Sequence, residues 1–135
     1  MQVGFIFNYA GKPWLTQYWT REVVNRIYSD LDPHHGYNGD EVQGFMGSLA
    51  VLLKVGLFQM RGGASLKPIY EIGSPLFDKV TIKLNPDYYE GSEFVIETRN
   101  NSDENRYLQS VNLNGRAMDK CGFITPIWLK GEGSF

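Results

Sequence analysis

Gln59-Met60-Arg61-Gly62-Gly63-Ala64-Ser65-Leu66-Lys67-Pro68 is the stretch on which the reading of the fold turns. Gly62-Gly63-Ala64-Ser65 is a run of small residues with no side chain to bury, so it reads as a flexible connector. The hydrophobic period changes across it. Before it apolar residues recur every three or four positions, and after it they recur every second one. A chain that switches once from helical to extended period has no helical crossover between strands, so its strands pair antiparallel. The fold class is therefore α+β: a helical segment over 1–58, a connector over 59–68, and a β region over 69–135.

Upstream of the connector, Val42, Phe45, Met46, Leu49, Leu52 and Leu53 give one apolar face at i, i+3, i+4 and i+7, which predicts a helix from Asp40 to Val55. Gly56 suits its C-cap. Gly44, Gly47 and Ser48 leave a small-residue patch that lets a second helix approach closely. That helix is predicted from Pro13, favoured in a first turn, to Ser29. Leu15, Trp19, Val23 and Ile27 form its stripe, widened by Val24, Tyr28 and Leu31. The pair reads as a helical hairpin, preceded by an apolar opening, Val3-Gly4-Phe5-Ile6-Phe7, that needs a surface to lie against. Downstream, strands are predicted at Ile69–Ile72, Val80–Leu84, Phe94–Thr98 and Tyr107–Leu113. Asn114-Gly115 is a two-residue hairpin signal. Thr125 to Phe135 holds the apolar run Pro126-Ile127-Trp128-Leu129 and then stops abruptly after Gly131-Glu132-Gly133-Ser134, which reads as a sheet missing its last strand and a chain truncated at both ends.

The 135 residues, 42% apolar and 14% aromatic, suffice for a core and argue against disorder. A net charge of −2 with scattered Lys and Arg forms no basic stripe, which argues against nucleic acid as a partner. Cys121 is the one cysteine, so no internal disulfide and no cysteine-rich metal site is available, and a buried structural thiol is its expected role. No basic segment followed by an apolar run opens the chain, and no apolar stretch approaches the ~18 residues that span a bilayer, so neither a signal peptide nor a membrane partner is expected.

Tyr37-Asn38-Gly39-Asp40-Glu41-Val42-Gln43-Gly44 places two adjacent carboxylates at the mouth of the second predicted helix. Partial positive charge and free N–H groups there hold acids ionised and oriented, which is one way to present a carboxylate to a substrate. Plain capping is the alternative, with Asp40 as N-cap and Gln43 as its return partner. Trp14, beside the loop at the first helix start, suits either a sugar-stacking platform or packing, whereas Trp19 lies on the stripe and is expected in the core. His34-His35 lack a third ligand at metal spacing and read as loop polar groups.

Asn8-Tyr9-Ala10-Gly11-Lys12-Pro13-Trp14, Gly39-Asp40-Glu41-Val42-Gln43-Gly44 and Tyr70-Glu71-Ile72-Gly73-Ser74-Pro75-Leu76-Phe77-Asp78 resemble, in order, the C-terminal part of glycoside hydrolase family 92. Asn100-Asn101-Ser102, Glu104-Asn105-Arg106-Tyr107 and Leu113-Asn114-Gly115 continue the run. The resemblance implies bacterial exo-acting α-mannosidases, periplasmic or secreted and several times longer than this chain. It further implies an α/α toroid ending in the two helices, a mannose-containing glycan as partner, and a calcium ion that helps hold and distort the sugar. Its mechanism is hydrolysis with inversion, which needs two carboxyl groups roughly 6.5–9.5 Å apart, one donating a proton and one activating water.

The family places its base in the acidic motif, so Asp40 and Glu41 are the candidate catalytic residues and Trp14 the candidate substrate-binding residue. No calcium ligand is identifiable. The third acidic position of that motif is Val42, which cannot accept a proton, and loss of a general base lowers a rate ~10²–10⁴-fold. Asp40 lies two positions earlier, a rotation of roughly 200° about a helix, and so points elsewhere. The proton donor belongs to a segment upstream of this sequence. The chain alone is therefore expected to hydrolyse nothing, and its uncovered helices to self-associate. A non-catalytic carbohydrate-binding or interaction module is the alternative.

Overall fold

The computed structural model of the chain describes residues 2–30, 32, 43–62, 64–119, 122–124 and 133–134. A 3-10 turn, Gln2–Phe5, leads into a short helix α1, Ile6–Tyr9, and then into α2, Pro13–Ile27. The third helix, α3, spans Phe45–Val55. Strand β1 is Leu57–Phe58, β2 Ile69–Ile72, β3 Lys79–Lys83 and β4 Glu93–Glu97. Four short strands follow: β5 Asn112–Leu113, β6 Arg116–Ala117, β7 Gly122–Ile124 and β8 Gly133–Ser134. The class is α+β.

The strands form three small sheets rather than one: β1-β2-β7, β3-β4-β8 and the pair β5-β6. Among the described residues every pair is antiparallel except β4 with β8, which run parallel. The Gly133-Ser134 strand has no hydrophobic alternation of its own, so nothing in the period announces it. In the longest pair Val80 faces Ile96 and Ile82 faces Phe94, which puts the apolar residues of both strands on one face. Lys79 and Glu97, opposite each other on the exposed side, meet at 2.6 Å. At the β5–β6 turn Asn114 and Gly115 both take positive φ, as a two-residue hairpin of this type demands.

Two hydrophobic clusters hold these layers. Phe5, Val24, Tyr28, Met46, Leu49, Leu53 and Phe58 pack between the helices, with the Phe5 and Phe58 rings stacked at 4.9 Å. Leu57, Ile72, Leu84, Phe94, Ile96 and Leu113 pack between the sheets. Consecutive residues Leu57 and Phe58 belong to different clusters because a strand sends successive side chains to opposite faces.

Gly56 makes the turn between helix and sheet. It caps α3 in the left-handed region at φ +82, and a Cβ there would lie 2.6 Å from the Pro75 nitrogen. The Gly56 carbonyl then accepts from the Gly73 N–H at 2.8 Å, fixing the Gly73-Ser74-Pro75 stretch against the helix end.

Several expectations are corrected by this arrangement. Helix α3 begins at Phe45, with Gly44 at its N-cap in the left-handed region and Gln43 also at positive φ, so no continuous helix runs from Asp40. Tyr107 to Val111 is not a strand. Its backbone is engaged elsewhere, the Leu108 N–H donating to Gln17 Oε1 at 3.0 Å and the Val111 carbonyl accepting from Met118 at 2.9 Å.

Helix α2 is turned relative to its apolar stripe. Its buried residues are Thr16, Gln17, Thr20, Arg21 and Val24, while Trp19 is 48% exposed with its ring edge-on to Tyr18. On the surface it meets, Arg21 donates to Ser74, the Pro75 carbonyl and Asn101 and Gln17 accepts from the Leu108 N–H, whereas Thr20 bonds back to carbonyls of its own helix.

Candidate functional site

Asp40 and Glu41, the candidate catalytic carboxylates, lie outside the described residues, as do Val42, His34, His35 and Cys121. Trp14 is described. It is the second residue of α2, directly after Pro13, and is 50% exposed, so it presents a ring at the surface beside the Asn8–Lys12 turn. In the preceding N-terminal segment Val3, Ile6 and Tyr9 are more than half exposed.

What the structure brings together is the set of sequence motifs on either side of the connector. Asn8 Nδ2 donates to the Ile72 carbonyl at 3.2 Å. The Tyr9 hydroxyl donates to Glu71 Oε1, and the Met60 N–H donates to Glu71 Oε2 at 3.0 Å, so both oxygens of this buried carboxylate are engaged. The bond to Glu71, then burial and the neighbouring negative charge, hold the Tyr9 phenol above its ordinary value of 10.0.

Twelve residues further on, Arg21 is 2% exposed. Its Nε donates to Ser74 Oγ at 3.0 Å, and Nη2 donates to the Pro75 carbonyl and to Asn101 Oδ1. Nη1 stands 3.7 Å from the Asp103 carboxylate, which is largely exposed. Asn101 closes the knot by donating from Nδ2 to the Leu76 carbonyl at 3.0 Å, and Ser74 Oγ donates to the Arg106 carbonyl at 2.7 Å. Burial lowers the Arg21 guanidinium below its ordinary value and the Asp103 charge opposes that; an arginine stays charged at neutral pH regardless.

A second ion pair continues the seam outward. Arg106 Nη1 donates to Glu22 Oε1 at 2.8 Å, and Arg26 reaches Glu22 Oε2 at 2.8 Å from the next turn of the helix. The hydrogen bond from Arg106 is the main cause holding Glu22 below its usual carboxylate value. The Arg106 guanidinium also sits 5.5 Å from the centre of the Tyr18 ring, a cation–π contact.

These groups hold segments in register. The buried carboxylate is saturated, and the other described carboxylates of the seam face cations. Arg21, Glu22 and Glu71 were not singled out from the sequence. The one available signal is charge and hydroxyl at 16, 17, 20 and 21 along a helix otherwise rich in apolar residues, which the apolar stripe at 15, 19, 23 and 27 masks. Among the described residues no three His, Cys, Asp or Glu side chains gather at metal-binding distance. No described helix is long and apolar enough to cross a membrane.

Two concavities flank the seam. An apolar groove of about 210 Å³ runs between α2 and α3, lined by Phe5, Trp19, Val23, Ile27, Met46 and Leu49 among others. A larger cleft of about 850 Å³ lies between the end of α3 with β1–β2 and the 98–112 loop.

The model of the glycosyl hydrolase family 92 catalytic domain matches residues 1–132. The chain belongs to this family. Its fold is that of solved family members. The GH92 inverting mannosidase BT2199 of Bacteroides thetaiotaomicron superposes with a TM-score of 0.81 at 32% identity, over 98% of this chain and 17% of that one. The GH92 α-mannosidase BT3965 of the same organism gives 0.82 at 25% identity, over 96% of this chain and 16% of that one. A complex of BT3965 with mannoimidazole gives 0.83 at 24% identity, over 98% and 16%. The chain thus spans about a sixth of the length of these solved relatives. No curated protein matches it. In this family member, the stretches 8–9, 71–76 and 101–106, which carry most of the sequence resemblance, contain residues that hydrogen-bond across the seam, several of them to Arg21.

Proposed function

We propose that this chain is the C-terminal portion of the catalytic domain of a calcium-dependent, inverting exo-α-mannosidase acting on mannose-containing glycans, and that by itself it hydrolyses nothing. The observation that carries this is the match of the family's catalytic-domain model over residues 1–132, and the polar seam fits it: part-buried hydrogen bonds join segments 80 to 91 residues apart, from Arg21 to Asn101 and from the Leu108 N–H to Gln17. Such a seam keeps the end of a catalytic domain rigid without doing chemistry. Names of two solved relatives, an inverting mannosidase and an α-mannosidase that binds mannoimidazole, support the substrate class and the stereochemistry.

In this reading α2 and α3 are the last helices of an α/α toroid, joined as a hairpin and followed by the β region. Trp14 offers its exposed face to a sugar ring. Asp40 and Glu41 belong to the acidic motif that supplies the base, and Val42 removes the carboxylate from its third position. Inversion needs a second carboxyl group across the scissile bond to protonate the leaving oxygen; that acid lies upstream of this sequence. Calcium dependence belongs to the same family reading, in which the ion would help hold and distort the sugar ring. A periplasmic or secreted location follows from the same family reading.

Exposed Trp14, Trp19, Phe45 and Val51 would be covered by the rest of such a domain or, in the isolated chain, by a second copy. A dilute, stable monomer in analytical ultracentrifugation would remove the self-association. The reading itself is tested by the mass of the native protein in its source cells. A species several times heavier than 15.4 kDa is expected; a species at that mass would instead favour the second reading, a non-catalytic carbohydrate-binding module.

A further inference from the structure

We propose that the cleft between the 98–112 loop and the β1–β2 edge is a binding site for a neutral glycan, holding sugar residues by amide hydrogen bonds above an apolar floor. Its volume, about 850 Å³, lies in the range of small-ligand sites. Leu57, Ile72 and Ile96, all buried, make the floor.

The rim carries the side-chain amides of Asn100, Asn105 and Asn112, none of which hydrogen-bonds to another described residue. Each amide offers two donors and an acceptor, and each sugar hydroxyl is both donor and acceptor, so an amide rim matches a polyol. Tyr107, 44% exposed, adds an aromatic face of the kind that stacks on the C–H side of a sugar.

Charge on the rim is nearly balanced. Glu97 is paired with Lys79 at 2.6 Å, and among the described residues the lining sets Glu97 and Glu104 against the one cation Arg99, so there is no basic excess for a phosphate or a nucleic acid. The rim is also held ready. Asn101 is tied to Arg21 and Leu76, Leu108 to Gln17, and Arg106 to Glu22, so the loop does not have to be ordered on binding. Asn100 sits at φ 55, a left-handed conformation that Asn tolerates well.

The cleft chemistry specifies a neutral polyol; the choice of mannose rests on the family reading above. The test is a titration of the full ¹⁵N-labelled chain with α-linked mannotetraose and, separately, with maltotetraose. Mannotetraose is expected to shift the side-chain amide signals of Asn100, Asn105 and Asn112. The double variant Asn105→Ala, Tyr107→Ala, folded by its amide spectrum, is expected to bind about tenfold more weakly, as loss of one hydrogen-bonding group and one ring implies. Shifts of these amides with maltotetraose alone would support the cleft and remove the mannoside reading. Mannotetraose binding that moves other residues and is undiminished in the double variant would overturn the cleft and leave that reading intact. Silence with both sugars at millimolar concentration overturns the cleft.

Discussion

Arg21→Ala tests whether the polar seam holds the molecule together. The side chain is 2% exposed and supplies three hydrogen bonds, to Ser74 Oγ, the Pro75 carbonyl and Asn101 Oδ1. Truncation leaves those acceptors in a buried site without their donor, at about 1–3 kcal/mol for each one that water cannot reach. The losses are not additive, because a guanidinium-sized hole admits solvent to part of the site. Removing one partner from a buried charged network costs about 3–5 kcal/mol, and we expect a value in that range. The Arg21–Asp103 pair contributes little of it, since Asp103 is 69% exposed and the separation is 3.7 Å.

Against a total stability of about 5–15 kcal/mol this is a large share, and at roughly 4 °C per kcal/mol for a domain of this size it lowers the melting temperature by about 10–20 °C. Urea unfolding followed by far-UV circular dichroism at low protein concentration reads it as a lower midpoint with an unchanged slope. Arg21→Lys is expected to recover less than half of the loss, because one ammonium cannot match a planar fork aimed at three acceptors. Asp103→Asn is expected to stay within about 1 kcal/mol of the parent. If Arg21→Ala loses no more than Asp103→Asn does, the seam is surface electrostatics and the reasoning fails.

Gly56→Ala combines a left-handed φ with a Cβ 2.6 Å from the Pro75 nitrogen, so we expect a loss of about 2–4 kcal/mol in the same urea assay. Gly11→Ala shares the positive φ but meets nothing within 4 Å, and is expected to lose only about 1 kcal/mol. The pH dependence has two limbs. Glu22 is held below its ordinary value of 4.5, so its contribution is present above that pH and disappears as pH falls through the lowered value; Glu22→Gln should flatten the acid limb of a stability–pH curve. Tyr9 is held above its ordinary value of 10.0, so its contribution is present below that pH and disappears as pH rises through the raised value; Tyr9→Phe should flatten the alkaline limb.

Strands with clean alternation were readable from the sequence. Val80 and Ile82 against Phe94 and Ile96 announce β3 and β4 to within a residue, and Asn114-Gly115 announces its own turn. The α2 stripe misled because period alone finds an apolar face but not which face is buried. Trp19 lies on the stripe and half outside, while Thr16 and Arg21 lie off it and inside, Arg21 because its hydrogen-bond partners Ser74, Pro75 and Asn101 stand on the surface that α2 meets. Two-residue strands such as Leu57–Phe58 carry no period, so their pairing with Ile72 and Glu71 is set by tertiary contacts alone. Tyr107–Val111 has strand-like residues whose hydrogen bonds go to a helix side chain and to a turn. Of the candidate site, Trp14 was legible as an aromatic at a helix start but not as exposed or packed, and the hydrogen-bond partners of Arg21 are 53 to 80 residues away and leave no local trace.

Release of mannose is the direct test of the central claim. The purified chain, incubated with an α-mannoside and calcium, is expected to free no mannose above a buffer control, and Val42→Asp alone is expected to change nothing under the proposed reading, which takes the proton donor from outside residues 1–135. Mannose release that requires calcium and is abolished by a chelator would contradict the account.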